Sequence, residues 1–141
     1  MRQFNYQDLE LAYHNLKKAV SYLNRIMIAD RENWKEFEFE TARASLIHHY
    51  EISFELCIVA MKEYMEKYLK IETINYTTKD IFRVAVEHKM INNLNRWFEY
   101  LGVRDVTRVN NTEDIDEVFP KIQMFIIYAE EFIFGMKKRL V

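Results

Sequence analysis

The sequence predicts an all-α fold, a helical bundle in a single domain over residues 1–141, on three observations. Half of the residues are apolar and 15% are aromatic, enough to build a core at this length without disulfides or metal. Two glycines and one proline leave almost none of the residues that hairpin turns use, which argues against a sheet of many short strands. Apolar residues recur at three- and four-residue spacing through most of the chain, the period of a helix with one buried face.

The first helix is expected from about Gln7 to Ala29, where Leu9, Ala12, Tyr13, Leu16, Ala19, Val20, Leu23 and Ile26 share a face. Asp30-Arg31-Glu32-Asn33 breaks the period and reads as a loop, with Asp30 or Asn33 able to cap the next helix. From about Trp34 to Leu69 there is neither Gly nor Pro, so this stretch is one long helix or two pieces. Leu46, Tyr50, Cys57, Met61, Tyr64 and Tyr68 form one stripe on it, while Ile52, Leu56 and Val59 add apolar surface nearly opposite. Apolar residues on two sides are expected of a central helix.

Thr77 and Asp80 have the spacing of a capping box, with Asp80 in the place of the usual Glu, and predict a third helix over about Thr78 to His88. Asn92 and Asn93 punctuate the chain. A short fourth helix carrying Leu94, Trp97, Phe98 and Leu101 is expected to stop at Gly102, leaving Arg104 to Asn111 as a polar turn. The last helix, about Thr112 to Leu140, has its apolar face interrupted by Pro120, where a kink or restart is expected because proline removes an internal hydrogen bond.

Composition also limits function. A net charge of −2 gives no bulk attraction for DNA or an anionic membrane. No stretch approaches the roughly 18 uncharged apolar residues of a membrane span. The N-terminus lacks an apolar signal region, and lone Cys57 sits in an apolar run, so a cytoplasmic location is expected. Isolated glycines exclude a phosphate-binding loop, and Ser45 and Ser53 lie in helix, away from any strand-turn elbow. No catalytic residue and no cofactor are expected.

Two groups of polar residues stand out. His48, Glu51 and Glu55 share one helix face, as a partner-facing or structural polar stripe. A metal site in a bundle needs matching carboxylates on a second helix, and the sequence offers no second copy of the motif, so no metal is expected. Arg43 with His48, and Arg83 with His88, have the spacing of a ribonuclease signature. A five-residue offset within a helix turns the side chains about 140° apart, so neither pair can act together.

The block His49-Tyr50-Glu51-Ile52-Ser53-Phe54-Glu55-Leu56, the helix opening Lys79-Asp80-Ile81-Phe82-Arg83-Val84-Ala85, and Trp97 followed by Arg104-Asp105 resemble the nucleotidyltransferase substrate-binding proteins. These are HEPN-type helical partners encoded beside minimal nucleotidyltransferases in bacteria and archaea. The resemblance covers about Leu9 to Leu140 and implies a five-helix up-and-down, HEPN-like bundle, a homodimer, and a complex with the nucleotidyltransferase encoded nearby, with a nucleotide or RNA as a further partner. Some members are toxins that cleave RNA, with the nucleotidyltransferase acting as antitoxin by modifying a tyrosine near the catalytic site. Their motif is arginine, a polar residue, three further positions, histidine, one position and tyrosine. Arg104 and Asp105 match its start, whereas Val109 stands at the histidine and Asn111 at the tyrosine. No histidine follows His88, and valine cannot move a proton in 2′-hydroxyl attack. The expected function is therefore a non-catalytic binding subunit, with Arg104, Asp105, Arg108 and Asn111 as a degenerate site. The alternative is a divergent toxin ribonuclease using Arg104 at a dimer cleft.

Overall fold

The computed structural model describes residues 4–28, 36–110 and 115–140, and consists of five helices in those residues, with no strand among them. They are α1 (Tyr6–Ile28), α2 (Glu36–Lys67), α3 (Thr78–Glu87), α4 (Leu94–Asn110) and α5 (Ile115–Leu140). The expected loop at Asp30 to Asn33, the start at Trp34, the start at Thr112 and the site residue Asn111 lie outside the described residues.

Helix α1 buries Leu9, Ala12, Tyr13, Leu16, Ala19, Leu23 and Ile26, the face that its spacing assigns. The longer stretch after it is one helix and not two pieces. Helix α2 touches each of the other four, so its expected central place holds. The reason differs in part: Ile52 and Val59, on the second apolar side, are exposed, and centrality comes from the Leu46–Tyr50–Phe54–Cys57–Met61–Met65 side. Rings from four helices meet on that side. Phe54 lies edge-on to Phe82, and Phe125 packs edge-on against Tyr50, Trp97 and Tyr100. Each such pair contributes about 0.5 to 1.5 kcal/mol beyond its buried area.

The capping box forms as its sequence implies: Thr77 Oγ1 accepts from the Asp80 amide and Asp80 Oδ2 accepts from the Thr77 amide, both at 3.1 Å. Helix α3 ends without glycine. Lys89 adopts a left-handed φ of 59°, and the Met90 amide reaches back to the Ala85 carbonyl at 2.8 Å while the Lys89 amide reaches Val86 at 3.0 Å. This is the bonding pattern of a Schellman stop, with lysine accepting a backbone that glycine takes more readily.

Two expectations about the chain's second half are corrected. Gly102 does not stop α4, which continues to Asn110. Gly102 has no positive φ, and Val103 and Thr107 beyond it are buried, so the packed face of Trp97, Tyr100 and Leu101 carries on past it. The residues Arg104 to Val109 are thus helix and not a turn. Nor does α5 restart at Pro120: it runs unbroken from Ile115, with Val118, Phe119 and Ile122 buried on both sides of the proline.

Candidate functional site

The extension of α4 decides the geometry of the polar residues. With α4 packed against α2, the stripe on one helix and the arginines on the other, separate in sequence, become one cluster. Arg104 Nη1 donates to Glu55 Oε1 at 2.6 Å, and Arg108 Nη2 donates to the same oxygen at 2.9 Å. Residues four apart on a helix stand one above the other, which is why a single carboxylate on α2 reaches both. One turn along α2, Glu51 Oε1 accepts from the Thr107 hydroxyl at 2.9 Å, and that hydroxyl also lies 2.9 Å from the Arg104 carbonyl. Asp105 Oδ1 takes a third bond, from Arg104 Nη2 at 3.3 Å.

Burial differs sharply across the cluster. The Arg104 side chain is 14% exposed, Glu55 is 40% exposed and Arg108 is 53% exposed. The Arg104 guanidinium lies over the Phe54 ring, 5.5 Å from its centroid, so an aromatic ring covers the cation while carboxylates accept from its N–H groups. Its Nε is buried without a partner. Below it, the Tyr50 hydroxyl donates to the Tyr100 carbonyl at 2.7 Å and fixes α2 to α4 at a buried point. Burial pushes the Tyr50 phenol well above its ordinary range, so this donor stays protonated.

Of the residues singled out from sequence, Arg104, Asp105, Arg108, Glu51 and Glu55 converge. His48 does not join them among the described residues: it is exposed on the same face of α2, one turn beyond Glu51, with its ring 5.2 Å from that of His49. Burial, reinforced by the neighbouring His48, holds His49 below the usual histidine range. Val109 is 80% exposed, so the position where the related motif has histidine faces solvent with an apolar side chain. Sequence reasoning missed Thr107, Phe54 and Tyr50 as parts of the cluster. Thr107 carried a signal, lying three positions after Arg104 and one turn from the helix face that packs.

Two carboxylates on α2 and one on α4 surround two guanidiniums, so the cluster has no surplus of positive charge. It can orient hydrogen bonds and fix the α2–α4 register. For proton transfer near neutral pH it offers no histidine among the residues that converge. No group of three or more His, Cys, Asp or Glu placed to hold a metal occurs among the described residues. No described helix is long and apolar enough to cross a membrane.

Residues 6–138 match the family described as nucleotidyltransferase substrate binding protein like. The chain is 25% identical over 148 residues to a probable ribonuclease HepT of Haemophilus influenzae, covering 97% of this chain and 94% of that protein. Its fold is similar to the solved structure of HI0074 from Haemophilus influenzae, described as the fold of a substrate binding domain of a nucleotidyltransferase. That likeness has a TM-score of 0.76 at 23% identity and covers 94% of this chain and 99% of the other.

Proposed function

The chain belongs to the nucleotidyltransferase substrate-binding protein-like family, and from that premise we propose that it is a non-catalytic subunit that docks a minimal nucleotidyltransferase encoded nearby and helps hold that enzyme's substrate or nucleotide. The observation that carries this reading is the way Arg104 is occupied. Its guanidinium is bonded to Glu55 and Asp105 and covered by Phe54, so an RNA phosphate would have to displace carboxylates to reach it. With valine at position 109, no histidine stands there to take or give a proton near neutral pH. The cluster then acts as a structural joint that sets the α2–α4 surface.

A homodimer built on that surface fits the exposed apolar residues. Ile52 and Val59 flank Glu55 on one face of α2, and a second copy would remove both from water. Co-expression of the chain with the nucleotidyltransferase encoded beside it should yield a stable complex by affinity capture and light scattering. Recovery of the two proteins as separate species would overturn the reading.

The 25% identical relative named a probable ribonuclease HepT favours a second reading, a divergent toxin that cuts RNA with Arg104 at a dimer cleft. Expression of the chain alone separates the two. The docking subunit leaves growth unchanged, whereas a toxin arrests growth and is relieved by Arg104→Ala.

A further inference from the structure

Helix α4 is anchored differently on the two sides of Gly102. Before it, Trp97, Tyr100 and Leu101 are buried, and the Trp97 and Tyr100 rings pack on Phe82, Phe125 and Phe132. After it, only Val103 and Thr107 of residues 103–109 are buried, and Val106 and Val109 stand in solvent. Among the described residues, the side-chain bonds that tie this half to α2 end on two carboxylates. Glu55 accepts from Arg104 and Arg108, and Glu51 accepts from the Thr107 hydroxyl.

Local preference works against helix in the same stretch. Apart from Arg104 and Arg108, residues 102–110 are Gly, Val, Asp, Val, Thr, Val and Asn, all from the weaker half of the helix scale. Valine and threonine lose side-chain freedom against the preceding turn, and Asp, Thr and Asn bond the backbone in competing conformations. The helix here is therefore imposed by contact with the rest of the bundle. Gly102 loosens the link between the halves, since glycine keeps the most backbone freedom inside a helix. No atom lies within 4 Å of its Cβ position, so close packing does not call for a glycine there.

We infer that α4 beyond Gly102 is a switch segment: Glu51 and Glu55 latch it as helix, and when they are withdrawn it unwinds as far as Gly102 and no further. Glu55 and Arg108 are both partly in water, so a charged group of a partner can reach the latch from outside. Unwinding would remove the α4 side of the α2–α4 surface and leave the ring-anchored first half in place. As a control on docking, the inference rests on the reading that this surface docks a nucleotidyltransferase. The latch itself is a property of the lone chain, so the two fail separately.

Amide hydrogen exchange of the full chain, followed residue by residue by NMR, tests the latch. Amides of residues 106–110 should exchange at least roughly tenfold faster than those of 98–101, by a local opening that leaves the first half closed. Glu51→Ala and Glu55→Ala should each widen that gap several-fold, and Gly102→Ala should narrow it. In the parent chain, NaCl at about 1 M, which screens charges beyond about 3 Å, should widen it as well, a readout that holds even if a variant fails to fold. Equal protection on both sides of Gly102, opening that spreads into 98–101, or a gap unmoved by salt and by both carboxylate variants each overturns the latch. Affinity capture of the nucleotidyltransferase tests the control: Glu51→Ala should lower the fraction captured and Gly102→Ala should raise it. Equal capture by parent and variants overturns the control. Absence of capture by the parent overturns the docking reading and the control with it, and the exchange result alone then decides the latch.

Discussion

Glu55 on α2 and Arg104 on α4, 49 positions apart in sequence, meet at 2.6 Å, and the contact is reinforced by the Phe54 ring beneath the guanidinium. Removing the carboxylate leaves a mostly buried cation with only Asp105 as an acidic partner. Exposed pairs contribute up to about 1 kcal/mol, and breaking a fully buried one costs roughly 3 to 5 kcal/mol. With Glu55 partly in water, Glu55→Ala should cost about 1 to 2 kcal/mol in urea unfolding. The double-mutant cycle with Arg104→Ala should show a coupling of at least about 0.5 kcal/mol, and additive effects would rule out a structural role for the pair.

Gly102 lies inside α4 with its Cβ position open and no positive φ. Alanine fits this backbone and restricts the unfolded chain. Gly102→Ala should stabilise the protein by about 0.5 to 1 kcal/mol, seen as a rise in Tm of a few degrees. A fall in Tm would mean that α4 does stop there.

Tyr50 supplies a buried hydrogen bond to the Tyr100 carbonyl, and its ring edge packs on Phe125. Tyr50→Phe keeps the ring and loses the bond. It should cost about 1 kcal/mol, or some 3 to 5 °C in Tm for a chain of this size. Two-dimensional NMR should show the α2–α4 interface loosening first.

Stability should fall at alkaline pH. Burial holds the Tyr6 and Tyr13 phenols up to about 12 and raises those of Tyr50 and Tyr100 and the Cys57 thiol. In the unfolded chain the thiol ionises near 9.0 and the phenols near 10.0. Above those values the unfolded state binds fewer protons than the folded one, so their contribution is present below about pH 9 and is lost as pH rises. Asp80 acts at the other end. The Thr77 amide, and then its side chain, hold the Asp80 carboxyl below 3.8, so its contribution is present above that pH and is lost as pH falls through its folded value. Urea midpoints from pH 3 to 11 should form a plateau that drops on both sides, and an unchanged midpoint at pH 11 would falsify the alkaline limb.

Cys57 is fully buried on α2, and its thiol is raised by the same desolvation. An aromatic disulfide reagent should leave it untouched in the native protein at pH 8. Reaction should proceed only at the rate of global unfolding. Rapid labelling would place it at an opening that the fold does not show.

The helix pattern was legible wherever one face is buried and the other wet, as in α1, and wherever a local bond is encoded at fixed spacing, as in Thr77 and Asp80. It misled at Gly102, because a helix stop needs a left-handed residue, and at α3 that residue is Lys89 instead. The site was half legible. Glu51, Glu55, Arg104 and Arg108 carry visible charge, but their meeting depends on how α2 and α4 pack, which no spacing along one stretch of sequence contains. Thr107 showed only its spacing from Arg104, and its bond to Glu51 depends on the same packing. The Ile52 and Val59 side of α2 was read as apolar surface of a central helix, and its exposure shows that apolar character alone does not tell a buried face from one in solvent.

The two guanidiniums that share Glu55 sit at different depths near the end of one helix, Arg104 inside and Arg108 toward the final turn. Helix ends fray from the last turn inward. Fraying of α4 from Asn110 would therefore free Arg108 while Arg104 stayed clasped, and only loss of a further turn would release the inner cation. Glu55 would then pass through a half-engaged state, holding Arg104 after Arg108 is freed, and the end of α4 would come away in two steps rather than one.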